Sequence, residues 1–325
     1  MIRRGRTRTI LVADRLLTLA AAALLDWLVG EPPPAMHPVV WIGRFANGWI
    51  RHAPVRPPVV EFAFGLVAVT TTVGLTATIA ATAARLVQRL PLACRLPVAA
   101  LLLKPSFAHR ELLRAAERVR LPLERGDLPA ARTALSDLVS RDPSTLGASS
   151  IAAAAIQSLA ENAADSVVAP WLAFIVGGLP GAYAYRAANT LDAMVGYRGR
   201  YEHLGKAAAR LDDLVNLAPA RITAAGFAAT AGPIRGRNAL AVARRDHGST
   251  PSPNGGWPMA AMAGALGVRL EKVGHYSLGD GGRPPSADDI AAARRAVTKL
   301  VLGATVGCAV AGAGLLYRER FGGGT

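Results

Sequence analysis

"AFGLVAVTTTVGLTATIAATAA", Ala63 to Ala84, runs for 22 residues without a charge. An α-helix needs about 20 apolar residues to cross about 30 Å of hydrocarbon, so this stretch is long enough to span a bilayer. Two others approach it: "VVAPWLAFIVGGLPGAYAY", Val167 to Tyr185, with 19 uncharged residues, and "LVLGATVGCAVAGAGLLY", Leu300 to Tyr317, with 18. One such run can be a buried core helix, but three in one chain predict a membrane protein. The rest of the composition agrees. Of 325 residues, 51% are hydrophobic and 18% charged, and the mean hydropathy is +0.28, unusual for a soluble enzyme. Thr70, Thr71 and Thr72 are tolerable at membrane depth because their hydroxyls can bond back to the helix backbone.

A further apolar stretch, Ile10 to Val29, is interrupted by Asp14, Arg15 and Asp26. A charge at the centre of a span costs about 2.5–3.5 kcal/mol on insertion scales, so this segment is expected to pack against protein rather than lipid. Arg3, Arg4, Arg6 and Arg8 precede it with no acid, which favours a cytoplasmic N-terminus over a cleaved leader. The net charge of +15 suits anionic lipid or an acidic substrate, and no nucleic-acid-binding pattern accompanies it. Cys94 and Cys308 lie in apolar surroundings without CxxC spacing, which argues against a disulfide framework or a zinc site. The expected fold is all-α: a polytopic integral membrane protein with cytoplasm-facing loops and helices. It is read as one embedded domain over 1–325, with apolar segments about 10–29, 63–84, 167–185 and 300–317 and a cytoplasmic helical segment about 105–166.

Polar residues gather at the ends of these segments. In "DWLVGEPPPAMHPVVWIGR", Asp26 to Arg44, three prolines forbid a continuing helix and present Glu31 and His37 from a stiff loop. A histidine changes charge between acid and neutral pH more readily than other side chains, so His37 is a candidate acid, base or phosphate donor. Ser149 or Ser150 is expected to cap an Ala-rich helix that carries "SLAENAADSVVAPW". On it Gln157, Glu161 and Asp165 fall at i, i+4 and i+8 with Asn162 beside them, two stacked carboxylates that want a cation, a metal ion or a raised pKa. Tyr185 to Ala224 then supplies Arg186, Asn189, Asp192, Tyr197, Lys206, Asp212, Asp213, Asn216 and Arg221. Hard cations take carboxylate and amide oxygens while Lys and Arg clamp anions, so this density suggests a site for Mg²⁺ and phosphate. No GxxxxGK[ST] phosphate loop occurs. "PSPNGGWP", Pro251 to Pro258, sets Ser252, Asn254 and Trp257 in a rigid loop whose backbone can approach a ligand closely while the indole covers an apolar face.

The ordered runs "HPVVWIG", "AENAADSVVAPW", "NTLDAMVGY", "LDDLVNLAPARITA" and "SPNGGWPMAAMAGALGVRLEKVGHY" resemble the CobD/CbiB family of adenosylcobinamide-phosphate synthases over Asp26 to about Gly279. The chain departs from that pattern at Glu31, Pro143, Ser166, Arg186, Ala193 and Gly255, and none of these changes removes a carboxylate. The resemblance implies a multi-pass protein of the cell (inner) membrane, in contact with membrane lipid. It implies a ligase of late cobalamin (vitamin B12) biosynthesis that joins the corrinoid adenosylcobyric acid to (R)-1-aminopropan-2-ol or its O-phosphate. Other late corrin-pathway enzymes are conceivable partners and nucleic acid is not. A membrane transporter or corrinoid-handing protein is the alternative, for which internal repeats and charges inside long spans would be expected.

Amide formation from an unreactive carboxylate needs activation, most simply by ATP with Mg²⁺. Laid on the matching motifs, this chemistry assigns catalysis to Glu161, Asp165, Asp192 and His37. It assigns substrate binding to Asn162, Arg186, Asn189, Lys206, Arg221, Ser252, Asn254 and Trp257, and metal binding to Glu161, Asp165, Asp192, Asp212 and Asp213. Glu161 and Asp192 flank Val167 to Tyr185, which would hold them about 30 Å apart if it crossed. "GGLPG", Gly177 to Gly181, therefore predicts that this segment breaks and returns as a re-entrant hairpin.

Overall fold

The computed structural model describes residues 2–54, 57–139, 142–196 and 199–321; Tyr197 and the side chains of Arg3, Arg4, Arg6 and Arg8 lie outside what is described. The helices are α1 Ile2–Val29, α2 Pro38–Arg51, α3 Pro58–Gln88, α4 Leu92–Leu103, α5 His109–Glu124, α6 Leu128–Leu135, α7 Ala148–Ala163, α8 Ala169–Val195, α9 Lys206–Val215, α10 Leu217–Thr230, α11 Pro233–Asp246 and α12 Gly256–Leu266. A two-stranded antiparallel hairpin follows, β1 Leu270–Lys272 with β2 Tyr276–Leu278, and then α13 Ala287–Phe321. The protein is an all-α membrane protein, as its composition predicts. Three helical stretches are long and apolar enough to cross a bilayer: Pro58–Gln88, Ala148–Val195 and Ala287–Phe321. In α3 only 22% of the most apolar window is buried within the protein, and in α13 only 11%, so these side chains require hydrocarbon around them.

The described chain groups into two compact units, 1–108 with 169–215 and 303–325, and 109–168 with 216–302. In the first unit α8 packs against α1, α2, α3 and α9. Its core is Ala46, Val69, Leu191, Val195, Leu204 and Ala208. The charges that interrupt α1 are dealt with separately. Asp26 is fully buried, Asp14 is exposed, and half-buried Arg15 donates from Nη1 to the carbonyls of Ile175 at 2.8 Å and Val176 at 2.7 Å. Thr70 and Thr71 bond back to Leu66 and Val67 at 2.9 and 2.6 Å, as expected of hydroxyls on an apolar helix, whereas the fully buried Thr72 Oγ1 makes no such bond.

Within α8 the helix breaks at Gly178, whose φ of 66° and ψ of −156° lie in a region open only to glycine. A Cβ on Gly181 would collide with the Ala173 carbonyl oxygen. Eight residues along a straight helix span about 12 Å of rise, so this contact requires the chain to have turned back on itself. The reversal predicted from GGLPG is present, with Arg15 satisfying carbonyls that end the first limb.

The second unit is built around α7, which packs on α5, α6, α12 and β1, while α10, α11 and α12 pack together. Small residues permit this closeness: Ala228, Ala239 and Ala265 form the contact, and a Cβ on Gly264 would lie 2.8 Å from the Ala239 Cα. The cap of α7 differs from expectation. Gly147 is the N-cap and the helix starts at Ala148, placing Ser149 and Ser150 inside the first turn, with Ile151 N donating to the Gly147 carbonyl at 2.9 Å. A glycine in extended backbone leads into the helix here without any side-chain cap.

Candidate functional site

In the second unit α7 ends in a π-turn, Ala164–Val168, in the middle of the AENAADSVV run. A π-turn inserts a residue into the helical register, and such turns favour functional sites. Gln157, Ser158, Glu161 and Asn162 line a cleft of about 160 Å³ with Leu138, Val139, Ala154, Met259, Lys272 and Tyr276. Asp165, one π-turn further on, is not among the lining residues. The extra residue therefore divides the polar stripe that straight 3.6-residue spacing predicts. Asn162 is fixed from both sides: its Nδ2 donates to the Ser158 carbonyl at 3.0 Å, and its Oδ1 accepts from Ser166 Oγ at 3.4 Å. Glu161 lies against the PNGG loop so closely that a Cβ on Gly255 would sit 2.6 Å from its Oε1.

That loop is held by Ser252, whose Oγ accepts from the Asn254 and Gly255 amides at 3.2 and 3.1 Å. Ser252 thus shapes the loop, and Asn254 is 5% exposed. Trp257 stacks on His247 at 4.1 Å between centroids and lies 4.9 Å from the Arg221 guanidinium carbon. Its ring is packed by protein side chains. Arg221 also donates to the Leu217 carbonyl at 2.7 Å and to Asn254 Oδ1 at 3.4 Å.

The first unit holds the other predicted residues. Asn189 and Asp192 share a face of α8, and Asn189 Nδ2 donates to Asp212 Oδ1 on α9 at 3.2 Å while its Oδ1 accepts from Arg186 at 3.2 Å. An arginine, an amide and a carboxylate on facing helices are thereby brought together. Burial pushes the Asp213 carboxyl up, against the opposing pull of Arg210. Lys206 opens α9 and is exposed. Among the described residues no three His, Cys, Asp or Glu side chains converge as a metal cage. Mg²⁺ does not require one, since it takes one or two carboxylates and completes its shell with water and phosphate oxygens. Asp212, already in contact with the Asn189 amide, is one carboxylate of that kind.

His37 is the N-cap of α2, with Nδ1 accepting from the Val39 amide at 3.2 Å and Nε2 donating to Glu31 at 2.7 Å. In this geometry neither ring nitrogen keeps a lone pair for an amine proton. Sequence reasoning missed the partner of this loop, Lys104, whose Nζ lies 2.6 Å from Glu31 and 3.1 Å from Asp26 and is 6% exposed. The lysine stands at the end of an apolar run, where it reads as a boundary residue. Lys272 and Tyr276 were also missed, although both stand in the quoted LEKVGHY.

A helical membrane chain whose polar side chains cluster around helix ends and a broken helix is the class of protein defined here. The profile of the family described as "CobD/Cbib protein" matches residues 19–301, and the chain belongs to this family. It is 42% identical to the cobalamin biosynthesis protein CobD of Dehalococcoides mccartyi over 83% of this chain and 88% of the relative. It is 45% identical to the cobalamin biosynthesis protein CobD of Rhodobacter capsulatus over 72% and 73%, and 40% identical to the probable cobalamin biosynthesis protein CobD of Pyrococcus furiosus over 84% and 90%. No solved structure matches the chain. Its role is in cobalamin biosynthesis, which implies corrinoid-type substrates.

Proposed function

We propose that the chain is an amide-forming ligase, working as one embedded domain of the inner membrane with its polar clusters on the cytoplasmic side. It joins adenosylcobyric acid to (R)-1-aminopropan-2-ol or its O-phosphate. The observation that carries this reading is the small cleft on α7, where Glu161 stands among polar side chains against a glycine loop. ATP and Mg²⁺, when bound, supply an activated carboxyl in the form of an acyl phosphate. Asp192 and Asp212 would hold the metal, with Asp213 as a further acidic donor. Arg186 and Lys206 would bind phosphate oxygens. Asn189 orients Arg186 and Asp212, with which it already bonds. The proton leaving the amine goes to a carboxylate, Glu161, since His37 is engaged through both nitrogens.

The test is the purified protein in detergent with adenosylcobyric acid, ATP·Mg²⁺ and each amine. Amide product is expected, and none from either amine would overturn the reaction. Glu161→Gln and Asp192→Asn are expected to abolish turnover while the protein still inserts and purifies. Normal rates in both variants would refute the carboxylate site. Chelating Mg²⁺ should stop turnover and restoring it should recover the rate.

A further inference from the structure

In the first unit lies an apolar cavity of about 390 Å³, walled by α2, α3, the end of α4 and the second limb of α8. Its size falls within the roughly 300–1,000 Å³ of small-ligand pockets. None of the described side chains that line it is charged. Of the polar ones, Tyr183 donates its hydroxyl to the Leu102 carbonyl at 2.7 Å, and Trp41 donates its indole N–H to the Ala35 carbonyl at 2.9 Å. Thr76 lies on α3, whose carbonyls can take up a hydroxyl within the helix. The walls therefore offer a ligand apolar contact and no ionic anchor.

The break in α8 helps to make this space. Leu179 and Tyr183 stand just after Gly178, where the chain reverses. Helix α2 has 14 residues, about 21 Å of rise against about 30 Å of hydrocarbon. A short helix and a hairpin beside a full span leave part of the layer's thickness unfilled by protein. The cavity opens sideways, since Trp41, Phe45, Leu75 and Ile79 on its walls are all exposed. Helix α3, which carries Leu75 and Ile79, is one whose apolar face needs hydrocarbon around it. Leu75, Ile79 and Ala83 fall at i, i+4 and i+8, so the cavity follows α3 for about 12 Å. One leaflet of the hydrocarbon core is about 15 Å deep. Water would find too few partners in such a cavity, and a charged molecule would find no counter-ion. A linear hydrocarbon chain matches its chemistry, its opening and its length.

We infer that the cavity is a binding site for one acyl chain of a membrane phospholipid. The chain lies along α3 from Leu75 to Ala83 and packs against Leu179 on the returning limb of α8, so that lipid completes the packing beside the break at Gly178. The site is independent of the reaction proposed above.

Photo-crosslinking tests this. The full chain is reconstituted in vesicles of phosphatidylethanolamine and phosphatidylglycerol that carry a diazirine at the end of one acyl chain. It is then extracted into detergent, washed free of bulk lipid, irradiated and digested for mass spectrometry. Label is expected on the α2 and α3 walls of the cavity and not on the exposed apolar face of α13 at Val306 and Val310. Ala83→Phe and, at another height, Thr76→Phe fill the cavity. Each should cut the retained label about tenfold, with the melting temperature of the lipid-free protein unchanged or raised. Val306→Phe should change neither. Adding the phospholipid back to delipidated protein should raise the melting temperature of the wild type more than that of either filled variant, because a ligand held only by the folded state stabilises it. Label spread equally over α3 and α13, no label retained after washing, or label undiminished in both filled variants overturns the site. If a filled variant fails to fold, the position of the label in the wild type still decides.

Discussion

The helices α3 and α8 begin from nearly the same sequence signal and end as different structures. Both contain uncharged runs, of 22 residues in Ala63 to Ala84 and 19 in Val167 to Tyr185. Helix α3 continues for 31 residues with the hydroxyls of Thr70, Thr71, Thr78 and Thr82 bonded to its own carbonyls, while α8 reverses at Gly178. Both contain glycine, so glycine content does not separate them. A Cβ on Gly74 in α3 would meet nothing within 4 Å, whereas Gly178 needs a positive φ and Gly181 needs the closeness of Ala173. Freedom from charge decides only that a segment leaves water; a hairpin also needs a backbone that only glycine adopts and a donor for the carbonyls left at the break.

Substitutions can break this contrast. Gly178→Ala should have the largest effect, because L residues are nearly excluded at that φ and ψ; a loss of about 3 kcal/mol is expected, read as a fall in detergent melting temperature of roughly 2–4 °C per kcal/mol. Arg15→Met removes the donor to the Ile175 and Val176 carbonyls and should cost about 2 kcal/mol. An unchanged melting temperature would mean that the break does not depend on Arg15. Gly181→Ala forces the limbs apart at Ala173 and should cost about 1–2 kcal/mol, with Gly177→Ala, which has open space, as its control. The smallest effect is Gly74→Ala in α3, where replacing an exposed helical glycine should be neutral or stabilise by up to about 1 kcal/mol. Equal effects at Gly74 and Gly178 would erase the distinction.

Much of the fold was legible because its signals are local. Three uncharged runs, the Thr70 and Thr71 side chains that bond back, and the GGLPG break each act within a few residues. The candidate site was legible in part. Glu161, Asn162 and Gln157 stand on one cleft as their helical spacing suggests, but Asp165 is carried off it by a π-turn that no periodicity announces. His37 stood out as a lone titratable side chain in a Pro-rich loop. Its use as an N-cap bonded to Glu31 depends on where α2 begins and on Lys104, which is distant in sequence.

What the sequence alone determined is the set of segments that must leave water, the breaks imposed by proline and glycine, and the order of motifs that places the chain in its family. These follow from transfer free energy and backbone sterics, which depend on residues close in sequence. Only the tertiary structure decided which polar residues share a cleft: Lys272 and Tyr276 come to Glu161 from a β-hairpin about 110 positions away, and Arg15 reaches the broken helix 160 residues on. Such pairings arise from packing between distant segments, where buried donors and charges must find partners wherever the folded chain brings them.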